Sequence, residues 1–196
     1  MSLEISVVIP VYNEEDSIQP LLAEVAQAFK GREYEIILVD DGSDDGSWAL
    51  LQRLRTENPQ LRALRHSLRS GQSTAIWNGV KAARAVVIGT LDGDGQNNPA
   101  DLPALLHALH HADREVAMVA GWRTQRQDSR VKLLSSRIAN FIRRALLRDG
   151  TPDTGCGIKV FYREVFMALP YFDHMHRFLP ALVQRAGHQR DFARNA

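Results

Sequence analysis

The stretch Leu91-Asp92-Gly93-Asp94-Gly95-Gln96-Asn97-Asn98-Pro99 concentrates more chemistry than any other part of the sequence. Alternating carboxylates bring hard oxygen ligands close together, and the intervening glycines let a backbone or a ligand approach. Gln96 adds a neutral oxygen two residues beyond Asp94. A calcium-binding EF-hand loop also alternates acidic residues, but it requires a glutamate at its twelfth position. Counted from Asp92, that position is Pro103, so the EF-hand reading fails. Two charged ligands and an amide suit Mg2+ or Mn2+ bridging a diphosphate, whose oxygens and water complete the shell.

Two other stretches present polar groups in a similar way. In Asp40-Asp41-Gly42-Ser43-Asp44-Asp45-Gly46-Ser47, paired carboxylates precede a glycine that allows a tight turn. Acceptors placed there can meet ribose hydroxyls or base N–H groups. The same pattern also serves as an Asx turn and a helix cap, and both readings stand. Pro10-Val11-Tyr12-Asn13-Glu14-Glu15 places an aromatic ring among polar neighbours, and it also reads as a plain strand-to-helix connection. No G-x-G-x-x-G follows the first strand and no P-loop pattern occurs, which argues against a dinucleotide-dependent dehydrogenase or a P-loop nucleotidase.

The elements that must carry these stretches follow from hydrophobic periodicity and breakers. Glu4–Pro10 is a β-branched run ended by a proline and reads as a buried strand, with a helix from Asp16 or Ser17 to about Phe29. Further strands are expected at Glu35–Val39, Leu61–Arg65, Ala85–Leu91 and Glu115–Ala120. Helices are expected at Ser47–Thr56, Thr74–Arg84 and Ala100–His111, the last with Pro103 in its first turn. Strands alternating with helices imply an α/β fold with a mostly parallel central sheet and helices on both faces. Such sheets hold their sites at the carboxyl ends of the strands, where all three stretches fall.

Composition bounds the rest. A chain of 196 residues, 44% hydrophobic and 24% charged, is the size and make-up of one soluble domain. A single cysteine, Cys156, excludes an internal disulfide framework and fits a reducing compartment. No signal-peptide pattern and no run of eighteen apolar residues are present, so the chain is expected to be cytoplasmic or peripheral to a membrane. The net charge of +1 conceals an asymmetry. Residues 1–120 hold ten Lys and Arg against seventeen Asp and Glu, whereas residues 121–196 hold fourteen against six. An acidic half suits a divalent cation; a basic half suits an anionic acceptor or membrane surface.

In order and spacing, SVVIPVYNEE, VDDGSDDGS and LDGDGQNNP resemble the donor half of a family-2 glycosyltransferase with a GT-A fold. The resemblance continues through Gly121-Trp122-Arg123, Ser136-Arg137-Ile138-Ala139-Asn140, Asp153-Thr154-Gly155-Cys156-Gly157 and His176-Arg177-Phe178-Leu179-Pro180. It is nearest to the subgroup of dolichyl-phosphate mannose synthases and bacterial polyprenyl-phosphate glycosyltransferases. This resemblance implies that Pro10, Tyr12, Glu14 and Asp41 hold the nucleotide, and that Asp92, Asp94 and Gln96 form the metal and diphosphate site. It implies Arg123 and Arg137 at an acceptor phosphate, with Arg126 on the same loop. The implied donor is a nucleotide-sugar, GDP-mannose by subgroup and a UDP-sugar otherwise; the implied acceptor is a polyprenyl phosphate, and no nucleic acid partner is expected. A lipid phosphate needs little activation as a nucleophile, whereas a sugar hydroxyl needs a general base, for which Asp153 is the candidate. Members of the subgroup continue past His176–Pro180 with another strand and a basic segment. Residues 1–196 are therefore expected to be a single catalytic domain, a donor half (1–120) and an acceptor half (121–196), lacking that C-terminal part.

Arg130–Arg148 supports the lipid-linked version from its own residues. At about 100° per residue, Val131, Leu134, Ile138, Phe141, Ile142, Ala145 and Leu146 share one helical face, with basic residues around the remainder and no acidic one. Basic amphipathic helices of this kind lie on anionic membrane surfaces, although burying an apolar stripe against a core uses the same pattern. Cys156, between Gly155 and Gly157, reads as a small packing residue. His107, His110 and His111 read as a solvated helix face, and His174 and His176 flank the acceptor-side loop.

Overall fold

The computed structural model describes residues 2–123 and 156–195. Among these, seven strands form one sheet in the order β3-β2-β1-β4-β6-β5-β7. They are β1 (Ile5–Val11), β2 (Tyr34–Asp40), β3 (Leu61–Arg65), β4 (Val87–Thr90), β5 (Val116–Arg123), β6 (Lys159–Tyr162) and β7 (Gln189–Asn195). Helices α1 (Glu15–Ala28), α2 (Ser47–Glu57), α3 (Gln72–Ala82), α4 (Asp101–His111), α5 (Arg163–Ala168) and α6 (Leu179–Arg185) connect or follow them, with a 3-10 turn at Met175–Arg177. Every described strand pairing is parallel except those of β6, which runs antiparallel to both β4 and β5. No helix among the described residues is long and apolar enough to cross a membrane.

Period-two alternation in β1 sorts the core into two layers. Ile5, Val7, Ile9 and Val11 pack with α1, α2 and α4, while Val8 packs with α3 and the residues of α5 and α6. The helices answer with apolar residues at helical spacing: Ile18, Leu21, Leu22 and Val25 on α1, and Leu102, Leu105, Leu106 and Leu109 on α4. Gly79 on α3 lies so close to the sheet that an added Cβ would come within 2.4 Å of Val8 Cγ1.

The chain goes outward from β1 to β2 and β3, then returns to place β4 on the other side of β1. The carboxyl ends of β1 and β4 therefore flank a topological switch point, where an open α/β sheet has its crevice. Because β6 is antiparallel, its first residues, not its last, lie at the same edge.

Three sequence expectations need correction. Pro10 does not end β1, which continues to Val11 in register with Asp40. Val8 O accepts from Leu91 N on the β4 side, so Pro10, two residues on, also faces that side, beyond the last ladder pair Val8–Thr90. No N–H is needed there, so the imino residue costs nothing. Strand β6 was not foreseen. Nor was β7, which pairs parallel to β5 from Gln189 to Asn195.

Candidate functional site

The first two loops are interlocked by side chains. Asn13, in the left-handed region at φ 55°, donates its backbone N–H to Ser43 Oγ (3.0 Å) and its amide to Asp44 Oδ1 (2.7 Å). Asp44 N–H returns a bond to Asn13 Oδ1 at 3.1 Å, and Glu14 N–H reaches Ser47 Oγ at 3.1 Å. Asp45 accepts from Glu15 N–H and Ser47 N–H. Asp44 and Asp45 are thus spent on scaffolding, the turn-and-cap role open to them from the sequence.

The adjacent carboxylates of the second stretch have different tasks. Asp40 accepts from Ser43 N–H at 3.0 Å and pairs with Arg65 at 3.1 Å, and it is fully buried. Asp41 is clasped by the loop after β3: Oδ1 meets His66 Nδ1 (2.7 Å) and Ser70 N–H (2.8 Å), and Oδ2 accepts from Gly71 N–H (2.8 Å). That loop crosses directly over Gly42, whose φ is +76° and whose added Cβ would meet Arg69 N at 2.8 Å. Arg69 then carries its guanidinium 4.0 Å over the centre of the Tyr12 ring, closing the loop against the first stretch.

The third loop leaves β4 and turns under β1. Gly93 is required by this approach, since a Cβ there would stand 2.6 Å from Pro10 O. Asp92 is held on both oxygens, by Gln72 Nε2 at 2.8 Å and Asn97 Nδ2 at 3.1 Å. Asp94 is exposed, with Oδ1 accepting from Gln96 N–H at 3.0 Å. Glu14 closes the acidic rim. Burial raises its carboxyl above the usual range, and the negative charges of Asp94 and Asp45 raise it further, against a lowering bond from Ser17. A cation is the natural complement of such a rim.

Among the described residues no three His, Cys, Asp or Glu side chains are grouped to hold a metal alone. The donor set is two carboxylates two residues apart with an exposed amide, Gln96, beside them. That set fits Mg2+ or Mn2+ sharing its shell with phosphate oxygens and water, which these ions keep readily. Each oxygen of Asp92 retains a second lone pair beyond its amide donor.

On the other side of the crevice, Cys156 and Gly157 lead into β6. Gly157 touches Asp92 so closely that a Cβ would lie 2.0 Å from its Oδ2. Cys156 is buried, and its carbonyl accepts from the buried Lys159 ammonium. His176 Nδ1 and Ser73 Oγ are 2.7 Å apart, at the start of α3. Burial, then the positive charges of Lys159 and Arg177, push the His176 ring down to about 4. His107 and His111 stack on the exposed face of α4. Arg123 ends β5 opposite Asn195. Arg126, Arg137, Asp153 and the Arg130–Arg148 segment lie outside the described residues.

The structure therefore brings together Pro10, Tyr12, Glu14, Asp41, Asp92, Asp94 and Gln96 along one crevice. Periodicity and motif reading missed His66, Arg69, Ser70, Gly71, Gln72, Asn78 and Asn97. The available signal was Ser70-Gly71-Gln72 at a helix start, together with the Asn97-Asn98-Pro99 turn.

Comparison with known proteins agrees with this geometry. The model for glycosyl transferase family 2 matches residues 6–169. The dodecaprenyl-phosphate galacturonate synthase of Rhizobium johnstonii is 35% identical over 186 residues, 93% of this chain and 54% of that protein. The undecaprenyl-phosphate 4-deoxy-4-formamido-L-arabinose transferase of Edwardsiella ictaluri is 36% identical over 183 residues, 91% of this chain and 55% of that protein. The chain thus spans about half the length of the curated relatives it matches. Among solved structures, the glucosyl-3-phosphoglycerate synthase of Mycobacterium tuberculosis with Mn2+, UDP and glucosyl-3-phosphoglycerate superposes with a TM-score of 0.76 at 19% identity, covering 97% of this chain and 69% of that one. A mannosyltransferase of Pyrobaculum calidifontis with GDP-Man and Mn2+ gives 0.72 at 18% identity, covering 100% and 56%. With its three loops at the switch point of this sheet and a family match over most of its length, the chain belongs to glycosyl transferase family 2 and has the GT-A fold.

Proposed function

We propose that this chain supplies the nucleotide-sugar site of an enzyme that transfers a sugar from a nucleoside diphosphate to a polyprenyl phosphate, with inversion at the anomeric carbon. The observation that carries this reading is the convergence of Asp41, Glu14, Asp92 and Asp94 at the β1–β4 crevice. The acceptor class is supported by relatives named for dodecaprenyl and undecaprenyl phosphate.

Asp41 reads the base. An ionised carboxylate has two acceptor directions on each oxygen. His66 and Ser70 occupy both on Oδ1, and Gly71 occupies one on Oδ2. The remaining direction suits the single imino N–H of uracil. Guanine presents two adjacent donors that seek both oxygens, so a UDP-sugar replaces the GDP-mannose expected from subgroup resemblance. The relatives, named for galacturonate and a formamido-arabinose, give mannose no support either.

Asp92 and Asp94, with Gln96 at the rim, would hold Mg2+ or Mn2+, which when bound neutralises charge developing on the leaving diphosphate. Gln72 and Asn97 keep Asp92 in one orientation, and Tyr12 with Arg69 forms the outer wall beside the base. A phosphate monoester has a second pKa of roughly 6 and is largely dianionic at neutral pH, so it attacks without a general base. Arg123, Arg126 and Arg137 are proposed to position it through bidentate contacts, and Asp153 acts as base only where the acceptor is a hydroxyl. The basic segment 130–148 is proposed to rest on anionic lipid at the cytoplasmic face of the membrane.

Calorimetric titration of UDP and GDP, each with and without Mn2+, tests the donor site. UDP is expected to bind with Mn2+, and Asp94→Asn to weaken it about 100-fold, since a ligand carboxylate is lost. Tighter binding of GDP, or UDP binding indifferent to both Mn2+ and Asp94, refutes the assignment. Transfer from a UDP-sugar to a short polyprenyl phosphate tests the acceptor class.

A further inference from the structure

Behind Asp41 lies a polar relay that the proposed chemistry leaves unused. His66, at the end of β3, presents Nδ1 to Asp41 Oδ1 at 2.7 Å and Nε2 to the Asn78 side-chain nitrogen on α3 at 2.9 Å. Its side chain is only 12% exposed, and that of Asp41 5%, so water does not substitute freely for either bond. The partners set the tautomer. A carboxylate only accepts, so Nδ1 carries the hydrogen; Nε2 is then bare and accepts from the Asn78 amide. Three elements, β2, β3 and α3, are thus tied together through one imidazole ring.

We propose that His66, oriented by Asn78, is a positioning residue for base recognition: it saturates Asp41 Oδ1 so that only one acceptor direction, on Oδ2, faces the donor nucleotide. The inference rests on the reading of Asp41 as the base-binding carboxylate. Its physical content is subtraction. With His66 in place, Oδ1 has no free lone pair, and rotation of the carboxylate would break three bonds at once. Without it, Oδ1 regains an acceptor direction, the carboxylate can turn, and a base offering two donors is no longer disfavoured. The backbone donors cannot replace the ring, because Ser70 and Gly71 are already committed to the same carboxylate.

The test is a set of titrations with the full chain in Mn2+, using UDP and UDP methylated at N3 of the base. The variants are His66→Leu, His66→Asn, Asn78→Ser, Asp41→Asn and the Asp41→Asn/His66→Leu pair, each checked for an unchanged far-UV spectrum. His66→Leu should weaken UDP about tenfold, as loss of a bond to a charged acceptor implies, and leave the N3-methylated ligand little changed. His66→Asn keeps an N–H near the Nδ1 position and should recover most of the loss. Asn78→Ser should shift UDP in the same direction by about threefold, which keeps the test open if His66→Leu does not fold. In the Asp41→Asn background the His66→Leu effect should vanish.

If Asp41→Asn weakens UDP and neither His66→Leu nor Asn78→Ser does, the relay is refuted while the base reading stands. Equal loss of both ligands, persisting without the Asp41 carboxylate, makes His66 merely structural and also overturns the proposal. If Asp41→Asn leaves UDP binding untouched, the base reading itself fails, and the relay with it.

Discussion

Gly157→Ala is the sharpest single probe of the site, because it adds one methyl group at a point where nothing can yield cheaply. The new Cβ would lie 2.0 Å from Asp92 Oδ2, 2.3 Å from its Cγ and 2.7 Å from Oδ1. Gly157 cannot retreat easily, since its carbonyl accepts from Thr90 Oγ1 at 2.8 Å and the next carbonyl, of Ile158, accepts from Gly121 N–H at 3.0 Å. Asp92 must therefore swing away by more than 1 Å to restore a contact of about 3.5 Å. Doing so stretches its bonds from Gln72 and Asn97, 2.8 and 3.1 Å in the native arrangement. Overpacking of this kind costs about 1–3 kcal/mol. For a chain of this length that is a drop in melting temperature of about 4–8 °C at 2 kcal/mol. The functional loss should be larger than the stability loss, since a 1 Å misplacement can cost about 100-fold in a positioned site. Thermal unfolding gives the first quantity and Mn2+-dependent UDP titration the second. Gly31→Ala is the control: that residue has φ +79° with open space around it and lies before β2, at the amino edge of the sheet, so it incurs backbone strain without touching Asp92, Asp94 or Gln96. Unchanged UDP affinity in a folded Gly157→Ala chain would refute the claim that Asp92 is held where the diphosphate needs it.

The remaining predictions concern buried polar groups. Glu35 is buried, and desolvation, the largest influence on it, raises its carboxyl; bonds from Ser6, Arg84 N–H and Arg62 together override this and hold it below the usual range. A depressed folded value means that its stabilisation is complete above the ordinary glutamate range and is lost as pH falls through the folded value. Glu35→Ala should cost about 3 kcal/mol at pH 7, by taking the carboxylate acceptor from the Ser6 hydroxyl, the Arg84 N–H and the Arg62 guanidinium, and the deficit should shrink in urea titrations at pH 3. His176, pushed down to about 4, stabilises the fold above pH 6.5 and loses that contribution as pH falls towards 4. His176→Gln should therefore flatten the fall in unfolding free energy between pH 7 and pH 5, measured in urea, by about 1 kcal/mol, a value discounted for the ring's partial exposure. Gly42→Ala combines a left-handed φ with a 2.8 Å clash on Arg69 N, and should lower UDP affinity by lifting the clasp off Asp41. If the Gly42→Ala chain binds UDP as tightly as the parent does, that clasp is not part of the site.

Much of the architecture was legible because it depends on local pattern. The runs that became β1 to β5 and the helices α1 to α4 were placed within a few residues, since a short continuous apolar run bounded by turn residues or an i, i+3, i+4 stripe announces its own burial. Pro10 misled because proline is read as a stop, whereas here its missing N–H faces a side where the ladder has already ended. Strands β6 and β7 escaped because neither carries a strand's alternation over enough residues: KVFY has only four, with a buried lysine, and QRDFARN is largely polar. Their pairing with β5 supplies what propensity does not.

The acidic stretches were equally plain in the sequence, but their division of labour was not. Types and spacing already placed carboxylates at strand ends and excluded an EF-hand, a dinucleotide fingerprint and a P-loop, because those motifs are contiguous. Which of Asp40 and Asp41 is paired with an arginine, and which is clasped by the loop after β3, depends on Arg65, His66, Ser70 and Gly71, some 25 to 30 residues away. Asp92 likewise owes its orientation to Gln72, Asn97 and Gly157, two of them on other elements of the fold. A sequence determines what each segment can donate, accept or bury. The direction in which a carboxylate offers its last lone pair is set only when distant segments pack around it and occupy the others.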